Sequence, residues 1–257
     1  MEKISNTEIA EFVEQNIGAF HDKQLEELKK LQLRSILTRK NPYLFRAKNL
    51  IIASDVVRYI TDAFLVSREE TNFGEFLERL AIFVCNRIYG GWKSKSLGMD
   101  LEFEKEGKYH IVSIKSGPNW GNSDQINKMS INFHNLTQIL WANNPDLGVV
   151  AVNGCCYGKD SHPNKTGKLK NEQGKVICEV PYLKLCGQRF WTYISGINSL
   201  FTDIVEPLGH QAKKKNEDFQ KEYANIINRF TQEFFSEFCC QSGAIQWDKL
   251  VTLNSGE

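Results

Sequence analysis

The strongest constraint on the fold is residues 98–120, GMDLEFEKEGKYHIVSIKSGPNW, which have the pattern of a two-stranded β-hairpin. In the first half, Leu101 and Phe103 alternate with acidic residues, and KEGK then supplies a turn with a glycine at its flexible position. In the second half, Val112 and Ile114 share one strand face, whereas Ile111, Ser113 and Lys115 share the other. The pattern therefore predicts two antiparallel strands with polar groups gathered at one end.

The segments on either side of this hairpin predict packed helices and a buried strand. A broad apolar stripe over residues 73–88 predicts a helix that ends at the Gly90-Gly91 pair. After the hairpin, Ser123 is expected to cap a helix that continues to Leu140. The run LGVVAVNGC that follows is typical of a buried strand. This order predicts an α/β (α+β) core, in which helices flank a mixed central sheet.

The rest of the chain is expected to be mostly helical. Apolar spacing predicts helices near the N-terminus and over residues 219–238, and Ser54 is expected to cap a further helix as far as Phe64. Residues 157–175 predict a polar, basic loop or hairpin insertion. With no repeat or linker, we expect one domain over residues 1–257. It would comprise a helical N-terminal part (1–70), a catalytic core (72–153), and an insertion with C-terminal helices (154–257).

Composition restricts the class of protein without identifying it. The 257 residues carry a formal net charge of +1, which excludes a strongly basic coat but leaves room for a local basic cleft. The seven cysteines include no C-x-x-C pair, and the N-terminal stretch has no apolar signal region. We therefore expect a cytosolic protein with reduced thiols. A zinc site using Cys155, Cys156, His162, Cys178 or Cys186 fits no standard spacing, and buried thiols are favoured.

The hairpin carries residues suited to metal-dependent phosphodiester hydrolysis. Such chemistry needs carboxylates that hold a hard cation, and a nearby cation that orients water or offsets charge on the phosphate. Asp100 and Lys115 lie on strands that the hairpin brings together, and the backbone carbonyl of Ile114 is a further oxygen ligand. Ser113 stands where a second carboxylate would be expected, two residues before the lysine.

These residues resemble the PD-(D/E)XK nuclease core, in a variant D…SxK form. The order of elements matches that core, and Gly74 to Glu78 resembles the glycine-then-glutamate helix of several members. The wider set of segments over roughly residues 41–251 resembles type II restriction endonucleases of the PmeII type. The resemblance implies Mg²⁺-dependent, sequence-specific cleavage of double-stranded DNA to 5′-phosphate ends by a homodimer. It also implies a cognate DNA methyltransferase and a bacterial or archaeal cytoplasm.

The departure at Ser113 requires a carboxylate from elsewhere, because a hydroxyl is a far poorer ligand for Mg²⁺. Glu78, four residues after Gly74 on a helix expected to pack on the hairpin, is the first candidate. Glu75 on the same helix is the second. Glu102 lies on the strand face of Asp100, about 6.5 to 7 Å further along. Ser113 itself is assigned a hydrogen bond to water near the metal.

Contacts to DNA are expected from basic and polar residues close to these groups, through phosphates and through base edges. The candidates are Lys93, Lys95, Asn119, Trp120, Asn122, Lys159, Lys165, Lys168 and Lys170. Two alternatives to a restriction enzyme stay open. One is a DNA repair or structure-specific endonuclease with the same core. The other is a non-catalytic DNA-binding protein on a decayed nuclease fold, which the serine at position 113 would suit.

Overall fold

The computed structural model describes residues 4–170 and 173–256, which form helices and one mixed sheet. The helices are α1 (Asn6–Lys29), α2 (Leu33–Leu37), α3 (Pro42–Ala47), α4 (Ala53–Tyr89), α5 (Ser123–Asn143), α6 (Gln188–Ser195), α7 (Leu200–Asp203), α8 (Val205–Leu208), α9 (Ala212–Phe238) and α10 (Trp247–Ser255). The strands are β1 (Trp92–Lys93), β2 (Leu101–Lys105), β3 (Lys108–Lys115), β4 (Val149–Cys155), β5 (Asn164–Lys170) and β6 (Val176–Cys186). None of the helices in these ranges is long and apolar enough to cross a membrane.

The six strands form one sheet in the order β1-β2-β3-β4-β6-β5. β3, β4 and β6 run parallel, whereas β1, β2 and β5 pair antiparallel to their neighbours. Residues 110–114 are buried in succession, which shows that β3 is covered on both faces. The expected mixed sheet flanked by helices is therefore confirmed.

The predicted hairpin is β2 and β3. Its turn places Glu106 at φ 53° and Gly107 at φ 71°, a pair of left-handed residues that matches the twist of the two strands. The register sets Leu101 opposite Val112. The Asp100 N–H donates to the carbonyl of Val112 at 2.8 Å, so hydrogen bonding to β3 extends to the residue before β2.

Helix α4 corrects two predictions. A single 37-residue helix replaces the two expected helices, because residues 65–72 contain neither proline nor glycine and do not interrupt it. Ser54 lies inside the helix, which begins at Ala53, so Ser54 is not its cap. The predicted end is confirmed: Gly90 is at φ 68°, and its N–H donates to the carbonyl of Asn86.

The cap of helix α5 is Asn122, one residue before the predicted cap, Ser123. The Asn122 side chain accepts from the backbone N–H groups of Asp124 and Gln125, and the Gln125 side chain accepts from the N–H of Asn122. This is a capping box, and Ser123 does not act as the cap because it is already the first residue of the helix. The apolar face of α5 contributes Met129 and Phe133 to a core with the sheet residue Ile111.

The predicted central insertion is a hairpin of strands β5 and β6, and β6 extends far enough to pair with β4. The chain divides into two compact units whose boundaries fall within α1, within α4 and between α8 and α9. The unit with the sheet holds the residues up to Asn16 and Phe73–His210. The other holds Ile17–Asn72 and the chain from Gln211 onward, around a helical core that includes Phe45 and Phe230. The single domain expected from the sequence stays a proposal.

The cap of α5 generates a prediction for stability. Asn122→Ala should lower the free energy of unfolding by about 1 kcal/mol, because two N–H groups of the first turn lose their acceptor. Ser123→Ala is the matched control and should change it by less than half as much. Urea unfolding of both variants measures the difference. Equal effects of the two substitutions would contradict the assignment of the cap.

Candidate active site

Asp100 is held rigidly at the head of β2. Its Oδ2 accepts from the backbone N–H of Ile114 at 2.7 Å, while its own N–H donates to Val112. The carboxylate thus takes the place of the next backbone acceptor along the hairpin. Lys115 ends β3, and its Nζ lies 4.0 Å from Asp100 Oδ2. The structure therefore brings together the acid and the lysine that the sequence singled out.

The carbonyl of Ile114 faces the same side of β3 as Asp100. In a strand, the N–H and C=O of one residue point to the same side, and the N–H of Ile114 points to Asp100. The N–H and C=O of Ser113 and Lys115 point the other way, to β4, where Asn153 Nδ2 donates to the Ser113 carbonyl. An oxygen ligand from Ile114 is therefore available beside the carboxylate of Asp100.

Helix α4 brings Glu78 to this end of the sheet. A Cβ on Gly74 would stand 2.6 Å from Ser116 Oγ, so the glycine permits the helix to approach the residue after Lys115 closely. One turn further on, Glu78 Oε1 contacts Lys93 Nζ, which also lies 3.6 Å from Asp100 Oδ1. Burial opposes the charge of Lys93, but the hydrogen bond and charge of Glu78, aided by Asp100, raise its pKa.

The oxygen donors of Asp100 and Glu78 are suited to a divalent metal, although Lys93 now lies between them. Within residues 4–170 and 173–256, no three or more His, Cys, Asp or Glu side chains converge as a metal site. Mg²⁺, however, is commonly bound through one or two carboxylates and several waters. Asp100 Oδ1 and Glu78 Oε1 already face a single cation, the ammonium of Lys93. The donors therefore fit Mg²⁺ once that ammonium moves aside.

The other two candidate glutamates are placed differently. Glu102 is buried, and its carboxylate accepts from Ser94 Oγ and Tyr109 OH. Burial and the neighbouring Glu102 raise the pKa of Tyr109, which keeps its hydroxyl protonated and donating. Glu75 lies exposed on α4, one turn before Glu78. The structure thus connects Glu78 to Asp100 through a shared ion-pair partner, Lys93.

Ser113 is almost completely buried, with 1% of its surface exposed. Its backbone carbonyl accepts from the Asn153 amide at 3.3 Å, and Asn153 Oδ1 accepts from the Trp120 indole N–H at 3.1 Å. The ammonium of Lys115 lies 5.2 Å from the centre of the Trp120 ring. Sequence reasoning missed this network, although Asn153 is a polar residue inside an apolar strand and so gave a signal.

The predicted DNA-contacting residues fall into three groups. Lys95, Asn119, Lys159, Lys168 and Lys170 have exposed side chains. Lys93 and Lys165 are paired with acids, Lys165 with Asp160 at 3.2 Å. Trp120 and Asn122 make the internal hydrogen bonds described above.

Two other titratable side chains of the sheet, Cys155 and His110, are buried in environments that favour their neutral forms. Burial raises the pKa of the Cys155 thiol to about 12, with a further contribution from Cys186. His110 is buried, stacks on Phe103 with ring centres 4.7 Å apart, and accepts from Tyr193 OH at 2.6 Å. Burial lowers the pKa of His110. Its side chain faces away from Lys115, as the strand alternation predicted.

A mixed sheet with helices on both faces, with an acid at the head of one hairpin strand and a lysine at the end of the next, defines a restriction-endonuclease-like core. The family model for type II restriction endonuclease EcoO109I matches residues 7–216, most of the chain. The chain therefore belongs to that family. Comparison with curated proteins finds no match.

The buried His110 generates a prediction for the dependence of stability on pH. The unfolded chain takes up a proton as the pH falls through about 6.5, whereas the folded protein resists it because its His110 pKa is lowered. The free energy of unfolding should therefore fall between pH 7.5 and 5.5, by at most about 1.4 kcal/mol per pH unit from this group. His110→Gln should reduce the slope, as measured by urea unfolding. A steeper slope in the variant would contradict the prediction.

Proposed function

We propose that the protein is a Mg²⁺-dependent type II restriction endonuclease that cuts double-stranded DNA at a short specific sequence and leaves 5′-phosphate ends. The observation that carries the proposal is the convergence of Asp100, Glu78 and Lys115 at the end of the hairpin, in a chain of this family. The resemblance of the sequence to type II restriction endonucleases of the PmeII type is part of the same proposal.

In this proposal, Asp100 Oδ1, a Glu78 oxygen and the Ile114 carbonyl hold the metal. When bound, Mg²⁺ supplies an activated water and stabilises negative charge on the phosphate. Asp100 Oδ2 stays engaged by the Ile114 N–H, which fixes the orientation of the carboxylate. Lys115 Nζ carries three N–H donors and no acceptor, and it orients the attacking water or contacts a phosphate oxygen.

The proposed DNA path uses the exposed cations and amides around this centre. Lys168 and Lys170 border a groove of about 540 Å³ with Asp124 and Asn127 at the start of α5. Lysines there would neutralise phosphates, and amide and carboxylate groups in the groove would read base edges. Lys95, Asn119 and Lys159 would contact the backbone.

Two further parts of the proposal concern partners. A homodimer is proposed because a two-fold protein matches a palindromic site. A cognate methyltransferase, in the same bacterial or archaeal cytoplasm, would protect host DNA from the enzyme. Both follow from the kind of enzyme proposed.

Cleavage assays on variants test which carboxylates hold the metal. Asp100→Ala and Glu78→Ala should each reduce the rate at least about a hundredfold, because removing a direct ligand costs more than removing the groups that orient ligands. Glu75→Ala and the isosteric Glu102→Gln should each retain part of the activity. The measurement is the appearance of discrete plasmid fragments with Mg²⁺, with chelator as the blank.

The outcomes separate the proposal from its rivals. Discrete fragments from wild type, in metal only, support a restriction enzyme, whereas a smear would favour non-specific cutting. DNA binding without cleavage in every divalent metal would overturn the enzymatic function. Full activity of Glu78→Ala with loss in Glu102→Gln would overturn the assignment of Glu78.

The position of Lys93 predicts a change in metal affinity that needs no DNA. Lys93→Ala should tighten Mn²⁺ binding about fivefold, because the substitution removes an ammonium that competes with the metal for two carboxylates. The size of the effect follows from a partly exposed ion pair, which is worth up to ~1 kcal/mol. Lys95→Ala, also exposed and two residues away, is the matched control and should leave the affinity unchanged. Isothermal titration calorimetry measures both. Weaker binding in Lys93→Ala would contradict the shared site.

A further inference from the structure

Trp120 lies between the catalytic lysine and a fully buried amide. Its ring centre is 5.2 Å from Lys115 Nζ, and its indole N–H donates to Asn153 Oδ1 at 3.1 Å. Asn153 has 1% of its surface exposed and donates through Nδ2 to the Ser113 carbonyl. Both ends of the amide are therefore engaged, which fixes the orientation of Asn153 and, through it, the orientation of the indole.

The loop that carries Trp120 is also fixed. Lys184 Nζ donates to the Pro118 carbonyl at 2.9 Å. A Cβ on Gly117 would stand 2.4 Å from the Tyr157 ring, and a Cβ on Gly158 would stand 2.5 Å from Pro118, so the two loops touch where only glycine fits. Gly158 is at φ 92°, which again favours glycine. The ring face is thus presented to Lys115 by a rigid support.

We propose that Trp120 is a positioning residue for Lys115. Its ring holds the lysine ammonium in place, a role that a carboxylate at position 113 could serve and that Ser113 does not. The face of an indole attracts a cation through its quadrupole and forms the strongest such contact among the aromatic side chains. The ring holds Lys115 without engaging any oxygen that could bind the metal. Asp100 Oδ1 therefore stays available as a metal ligand.

This inference rests on the proposed function and revises one expectation from the sequence. The sequence predicts a DNA contact for Trp120, but its indole N–H donates to Asn153 and its side chain is half-buried against the core that includes Met129 and Phe133. A residue that acts through Lys115 changes the rate of cleavage, whereas a DNA contact changes the affinity.

The test is a double-mutant cycle in single-turnover cleavage. Trp120→Leu should slow cleavage about tenfold, and Trp120→Phe, which keeps a ring face, should slow it less. In a Lys115→Ala background, Trp120→Leu should cause no further loss, because the residue through which it acts is absent. The dissociation constant for DNA in Ca²⁺, measured by fluorescence anisotropy, should stay unchanged. Trp141→Leu, an exposed tryptophan on α5, is the control and should keep the wild-type rate.

Losses that multiply in the double variant, or a weaker affinity that accounts for the slower rate, would overturn the proposal. So would equal rates for the leucine and phenylalanine variants. Unfolding midpoints establish that each variant is folded, and Trp120→Met replaces Trp120→Leu if the latter is not.

A second readout is independent of activity. Protons above an aromatic ring are shifted upfield, so the Lys115 ε-methylene signal in a lysine-labelled sample should lie upfield of the other lysines. The shift should persist in part in Trp120→Phe and vanish in Trp120→Leu. Its absence from wild type would overturn the contact. If the upfield shift is present but wild type cleaves no DNA with any metal, the proposed function fails while the contact itself stands.

Discussion

The candidate site depends on one hydrogen bond, from the Ile114 backbone N–H to Asp100 Oδ2. A carboxylate that replaces a backbone acceptor has a position set by the sheet and not by its own rotamer preferences. Because Lys115 follows Ile114 directly, the same bond fixes how far the acid lies from the backbone of the lysine. The Ile114 carbonyl is oriented with it, so three of the proposed functional groups have their geometry from the β2–β3 ladder.

Around this bond, positive and negative groups alternate: Glu78, Lys93, Asp100 and Lys115. Each carboxylate has an ammonium beside it, which offsets the cost of bringing two acids together without a metal. The arrangement is thus stable in the protein alone. Binding of a divalent cation would release Lys93, and the freed ammonium would then be available to a phosphate.

Much of this could be predicted from the sequence because it follows from local patterns. The β2–β3 hairpin, helix α5 and strand β4 have clear periodicity, and the hairpin alone brings Asp100 towards Lys115. Strand β1 could not be predicted, since two residues have no periodicity, so the sequence alone suggests a DNA contact for Lys93 and not its ion pairs with Glu78 and Asp100. The contacts of Trp120 with Asn153 and Lys115 depend on how two loops pack, which no spacing within one segment encodes. The length of α4 was missed because polar residues on an exposed face look like an interruption.

The place of β5 at the end of the sheet has a consequence for assembly. An edge strand exposes unpaired backbone groups, and lysines along it oppose extension of the sheet by another chain. β5 carries Lys165, Lys168 and Lys170 within seven residues. A two-fold pairing of two β5 edges would bring the exposed Lys168 and Lys170 of both copies close together across the junction. The lysines of β5 therefore disfavour this edge as a junction with a second copy, and a homodimer that used another surface would avoid this repulsion.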